Sequence, residues 1–324
     1  MSKIIENSQL LIQNRDIIGK IFKMSGDAML LAGSSIYVSM GLTANEEAIK
    51  NCEKILKDNT GIFSDFRGNV RIPLICKMTI AADPKQYLLA IQQIVEQMKH
   101  LKWIIAQYKI LAAMTIYDYG DIENISDIIA RMEKLFKGMK EKHPWLTSDE
   151  DISFAAMLAT SDVDETKLIE EMESCYTSLK TKFNGNNAMQ SVSHILALDS
   201  ATTEEKCNRL YRIFDQLKEK KHKYGTGYEM TILGTMSILD IPDEQIVDEI
   251  IEADEFLEMQ KGFGDFVMGE KRRRMYAALM VMDSHIPPAD RSHQALLNTT
   301  MTLVIAMQIC MICVMSAAVV SSNS

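Results

Sequence analysis

Apolar and polar positions fall in blocks along this chain. Seven short apolar segments recur: MLLAGSSIYVSMGLT, PLICKMTIAAD, YKILAAMTIYD, ISFAAMLATSD, SVSHILALD, MTILGTMSILD and RMYAALMVMD. Each is followed by a longer amphipathic stretch or, at the last, by the C-terminal region. They end at Thr43, Asp83, Asp118, Asp162, Asp199, Asp240 and Asp283, spaced by 40, 35, 44, 37, 41 and 43 residues. The short segments are apolar on most sides, as a helix buried between neighbours must be. In the stretches that follow, apolar residues recur at three- and four-residue steps. Leu168, Met172, Cys175, Leu179 and Phe183 form one such stripe; Ile246, Ile250, Ile251, Phe256 and Leu257 form another. Acidic residues crowd the first turn of these stretches and lysines the last, which matches the helix dipole.

Each pair reads as a helical hairpin. The terminal Asp or Thr suits the turn, and neighbouring residues can accept hydrogen bonds from the next helix's free N–H groups. The few breakers fall between pairs, in KFNGNN, HKYGTGYE, GFGDF and EKHPWLTSDED. In the last of these, Thr147 and Glu150 have capping-box spacing. The pattern predicts an all-α fold of tandem helical-hairpin repeats, α-solenoid-like, over residues 1–286. Such arrays expose a long surface commonly used for binding.

Residues 287–324 form a second region, predicted to be an apolar C-terminal helix. From Met301 to Val320 the chain runs 20 residues without a charge, about the length that spans a bilayer's hydrocarbon core. Thr302, Gln308 and Ser316 point in scattered directions, so there is no polar face for an interfacial helix. Two readings stand side by side. The segment is a tail anchor that leaves the large domain in the cytoplasm, or it is a helix buried against the array or in a dimer. Cys310 and Cys313 form a CxxC within it, but the apolar setting suits packing rather than redox chemistry.

Composition narrows the function classes. Glycine (15) and proline (6) are scarce and methionine (23) is abundant, which favours helix over a turn-rich β fold. The net charge of −9 argues against a nucleic-acid binder. Basic clusters at Lys271–Arg274 and at Lys218, Lys220, Lys221 and Lys223 read as solvated helix surface, with anionic lipid or a partner as the alternative. Cys52, Cys76, Cys175 and Cys207 are scattered, with neither metal-ligand nor disulfide-framework spacing. The N-terminus lacks a secretory signal's apolar core, so the cytoplasm is the expected compartment.

Candidate chemistry is sparse. His143 with Asp149, Glu150 and Asp151 has the residue types of a metal or acid/base set, but the spacing fits no known metal pattern. Pro144 and Trp145 making a turn, with the acidic run capping a helix, is the simpler account. Arg67, in Ser64-Asp65-Phe66-Arg67-Gly68, offers a guanidinium fork to an anion, or ties an inter-repeat turn to neighbouring backbone. His194, in an apolar segment, reads as a core histidine. No HExxH, GxGxxG, Walker loop or GxSxG occurs. No catalytic residue, metal or cofactor is therefore assigned. Arg67, His143, Trp145, Asp149 and Asp151 are the candidate binding residues.

Three stretches also resemble a bacterial family known as domain of unknown function 4003. They are Asn59–Gly68 (NTGIFSDFRG), His143–Asp151 (HPWLTSDED) and Ser193–Leu198 (SHILAL), in the family's order. The HP-aromatic-LTS-acidic-acidic string is the most specific, and the likeness runs from about residue 5 to 285. It implies an all-helical class and a cytoplasmic bacterial setting, and it carries over no activity, cofactor or catalytic residue. The function expected from the sequence is a non-catalytic helical-repeat interaction or scaffold protein with a protein partner, tethered to the membrane by its C-terminus. The alternatives are an enzyme whose site is assembled between repeats, with His143, Asp149 and Asp151 as first candidates, or a carrier of an apolar ligand.

Overall fold

The computed structural model describes residues 2–184 and 187–286. Within them the chain is all-helical, with fourteen α-helices, two short 3-10 turns and no strand among the described residues. Numbered in chain order, the helices fall into two alternating classes. One is amphipathic: α1 (Lys3–Ile21), α3 (Glu46–Asp58), α5 (Pro84–Gln97), α7 (Ile125–Lys142), α9 (Glu165–Lys182), α11 (Thr203–Glu219) and α13 (Asp243–Glu258). The other is buried over most of its length: α2 (Asp27–Ser39), α4 (Arg71–Ile80), α6 (Ala106–Tyr119), α8 (Asp151–Ala159), α10 (Asn187–Leu196), α12 (Met230–Met236) and α14 (Glu270–His285). The uncharged stretch Met301–Val320, with Cys310 and Cys313, lies outside the described residues. Among those described, no helix is long and apolar enough to cross a membrane.

The chain divides into two compact units. The first comprises residues 10–136 and 148–160. There α2 packs on α4 and α6 on α8, while α3 and α5 lie against α4, and α5 also against α6. The approach of α2 to α4 is close because Gly33 has no side chain: a Cβ there would lie 2.9 Å from both Cys76 Sγ and Ile72 Cγ2. Only glycine permits that separation without moving its neighbours.

The described part of the second unit comprises residues 2–9, 137–147 and 161–286. In it α10 packs on α9 and α12, α12 on α14, and α11 bridges α9 and α13. The first turns of α1 lie against the last described helix. Lys3 Nζ donates to the Ser284 carbonyl at 3.0 Å, and Asn7 Nδ2 to the Met280 carbonyl at 3.3 Å. Met275 through Met282 are wholly buried. The α14 helix therefore has the chain's own N-terminus packed on it.

Helix starts follow cap chemistry. Asn45 accepts from Ala48 N, Asp83 from Lys85 N and Gln86 N, and Asp164 from Thr166 N and Lys167 N. A complete capping box forms at Thr202 and Glu205. The box expected at Thr147 and Glu150 does not form. Thr147 is buried, its hydroxyl donating to the Met139 carbonyl and accepting from Gln190 Nε2. Glu150 sits at the N-cap of α8 in helical conformation with no side-chain cap bond. The helix starts too late for Thr147 to reach it, and Thr147 satisfies buried polar groups instead.

Candidate functional site

The turns that precede the buried helices carry most of the singled-out residues. Arg67 follows α3 in the 3-10 turn Asp65–Arg67. Its Nη2 donates to the carbonyls of Lys57 and Thr60, both at 2.5 Å, and its Nε to Thr60 Oγ1 at 2.9 Å. The last carbonyls of a helix have no partner within it, and the guanidinium supplies one. Arg67 is thus used to fix its own turn.

In the first unit these turns are joined side by side. The Arg71 guanidinium lies over the Phe22 ring at 5.1 Å, linking the turn before α2 to the start of α4. Asn69 Nδ2 donates to Gln107 Oε1 at 3.2 Å, linking the turn before α4 to α6. Asp149 Oδ2 accepts from Ile105 N at 2.7 Å, linking the turn before α6 to the one before α8. Large apolar side chains project from this edge: Met24 and Phe63 are each 99% exposed, Ile62 79%, Trp103 68% and Ile105 57%. In the second unit Trp145 is 95% exposed and Phe266 and Val267 are exposed as well.

His143 follows α7 and turns toward α9. Its Nε2 lies 2.8 Å from Glu173 Oε2, and its ring is tilted against Tyr176 with centroids 4.4 Å apart. Both groups line a half-open cleft with Met139, Ile169, Gln190 and His194. Its free space is about what one water molecule requires. His194, fully buried beneath it, has its pKa lowered to about 3, by burial first and by the proximity of His143 second. The cleft offers a sheltered histidine–carboxylate pair above a neutral imidazole, and no room for a sizeable ligand.

The acidic residues expected beside His143 have other partners. Asp149 holds Ile105 N, and Asp151 Oδ2 accepts from Ser148 N at 2.8 Å. His143 instead meets Glu173, a residue 30 positions away that no local motif marks. Among the described residues no group of three or more His, Cys, Asp or Glu side chains converges in a way that could hold a metal ion.

The basic run at Lys271–Arg274 requires a correction. Arg273 and Arg274 are buried, and both bind the buried Asp254 carboxylate, at 2.6 and 3.0 Å. His222 Nδ1 meets the same carboxylate at 2.9 Å. Half of the run is core structure, because its counter-charge lies on α13 and is invisible from α14 alone.

Fold and site together define an all-helical protein whose charged residues hold helices together and whose turns display apolar side chains. The chain belongs to the family described as "Protein of unknown function (DUF4003)", whose model matches residues 17–310. No curated protein and no solved structure matches it.

Proposed function

We propose that this chain is a non-catalytic interaction protein of the helical-repeat, α-solenoid-like kind, which engages a protein partner on the cytoplasmic side. The strict alternation of buried and amphipathic helices supports the repeat. The observation that carries the functional reading is Trp145, which projects into water from the turn between α7 and α8. Large aromatic side chains held by a rigid scaffold and left in water are the usual anchors of protein interfaces. Phe266, exposed in another turn of the same unit, supplies a second anchor. The uncharged stretch Met301–Val320 supports a C-terminal membrane tether within the same reading.

A photocrosslinker at position 145 of the full chain tests this. It should trap one discrete protein, and Trp145→Ala should weaken retention of that protein by about tenfold or more without changing the melting temperature. Retention that is the same in Trp145→Ala and Phe266→Ala would remove the reading.

A second reading, an enzyme with a site between helices, rests on the His143–Glu173 pair in its cleft. Turnover of any hydrolase substrate that disappears in His143→Gln while the fold stays intact would favour it.

A further inference from the structure

The edge of the first unit has a chemistry different from that of the chain as a whole. Three of its four turns, at residues 22–26, 59–71 and 98–107, contain Lys23, Arg67, Arg71, Lys99 and Lys102 against one carboxylate, Asp65, in a chain of net charge −9. Lys99 pairs with Glu96 of α5, and the fourth turn, before α8, adds Asp149 and Glu150. Lys23 directly precedes Met24, and Lys102 directly precedes Trp103. The contacts Arg71–Phe22 and Asn69–Gln107 hold these turns next to one another. Their apolar tips therefore share one edge.

Met24 and Phe63 are 99% exposed, so they touch almost nothing of their own fold. What sets this edge apart from Trp145 and Phe266 is the lysine directly before Met24 and before Trp103, where Pro144 and Asp265 precede the other two. Apolar tips with a lysine directly alongside, as at Met24 and Trp103, fit a lipid interface. The apolar group enters the boundary between headgroups and acyl chains, and the cation stays with the phosphates. Tryptophan favours that same depth.

We propose that this edge docks on an anionic lipid surface, with Met24, Phe63 and Trp103 entering the interface and Lys23 and Lys102 meeting the headgroups. The proposal is independent of the protein-partner reading, which concerns Trp145 and Phe266, and of any tether beyond residue 286.

The chain has two tryptophans, so Trp145→Phe in the full-length protein leaves Trp103 as the only indole reporter. With vesicles of phosphatidylcholine containing roughly a third phosphatidylserine, Trp103 emission should shift to the blue and be quenched by lipids brominated high on the acyl chain. Pure phosphatidylcholine vesicles should give little shift, and high salt should reverse the effect. Lys23→Glu with Lys102→Glu should weaken partitioning by on the order of tenfold or more, and Met24→Ser with Phe63→Ser should abolish the shift. All four side chains are exposed, and an unchanged circular dichroism melt confirms that each variant folds.

Sedimentation with vesicles of either composition while Trp103 stays in water overturns the proposal, because another part of the chain then holds the membrane. An equal shift on neutral and anionic vesicles overturns the headgroup role. Shielding of Trp103 by a protein in the absence of lipid overturns the choice of a lipid partner.

Discussion

Lys77 Nζ, on α4, stands 2.9 Å from Asp118 Oδ2, on α6, and each side chain is about nine-tenths withdrawn from water. Tyr119 completes the site, its hydroxyl 3.4 Å from the ammonium and its ring 5.4 Å below it. Burial alone would lower the lysine's pKa, but Asp118 and then Tyr119 outweigh it and push the pKa up, so Lys77 stays charged. Removing one partner of such a pair strands the other. Asp118→Ala should cost about 3–5 kcal/mol in urea unfolding, whereas Lys77→Met with Asp118→Leu should cost much less. A loss below about 1 kcal/mol for Asp118→Ala would mean the pair is solvated in solution.

Asp118 also shows where sequence reading stops. The spacing that marks Thr43, Asp83, Asp118, Asp162, Asp199, Asp240 and Asp283 locates the helices because burial on most sides leaves a clear apolar block. It does not tell what each terminal residue does. Asp83 is itself an N-cap, whereas Asp118 is an interior ion-pair partner and Asp283 lies buried within α14. A cap depends on one residue's backbone angles at the helix start, and a period that varies by several residues does not resolve that. Arg273, Arg274 and His143 were opaque for a different reason. Their partners Asp254 and Glu173 come from another helix, and sequence separation hides such pairings. Glycine and proline marked the turns, but the outward direction of Phe63 and Trp145 follows from how each turn is tied down.

His194 gives the unit that contains it a sensitivity to acid. Its folded pKa, near 3, lies below the unfolded value of about 6.5. Between these values the unfolded chain binds a proton that the folded chain does not, so stability rises with pH there and is lost as pH falls below 6.5. From pH 6.5 to pH 5 the loss from this group should be on the order of 2 kcal/mol. His194→Gln should flatten that part of the stability profile, measured by denaturation at several pH values. A variant as acid-sensitive as the parent would show that other groups set the slope.

Asp283 acts with the opposite sign. Burial pushes its carboxyl well above the usual range, and Lys3 opposes the shift only in part. The group's contribution is complete below the unfolded pKa and falls as pH rises toward the folded one. Asp283→Asn keeps the shape of the neutral acid and removes the cost of holding it protonated. The variant should melt higher than the parent at pH 7–8, and the gap should close near pH 4. Destabilisation at pH 8 would show instead that the carboxylate is ionised in the fold and satisfied there.

Arg67 offers the sharpest separation between a binding role and a structural one. Its guanidinium joins the carbonyls of Lys57 and Thr60 to the Thr60 hydroxyl, which in turn donates to the Leu56 carbonyl at 2.5 Å. The end of α3 and the turn bearing Ile62 and Phe63 are therefore held by one side chain. Arg67→Ala should cost about 1–3 kcal/mol, since each carbonyl loses a charge-assisted donor. Arg67→Lys should recover little of it, because a single ammonium cannot reproduce the planar fork that spans the three acceptors. Amide exchange should quicken across residues 57–68 and leave α9 to α14 unchanged. An anion-binding arginine would behave otherwise: its loss would leave exchange in the turn intact, and added phosphate would stabilise the parent but not the variant.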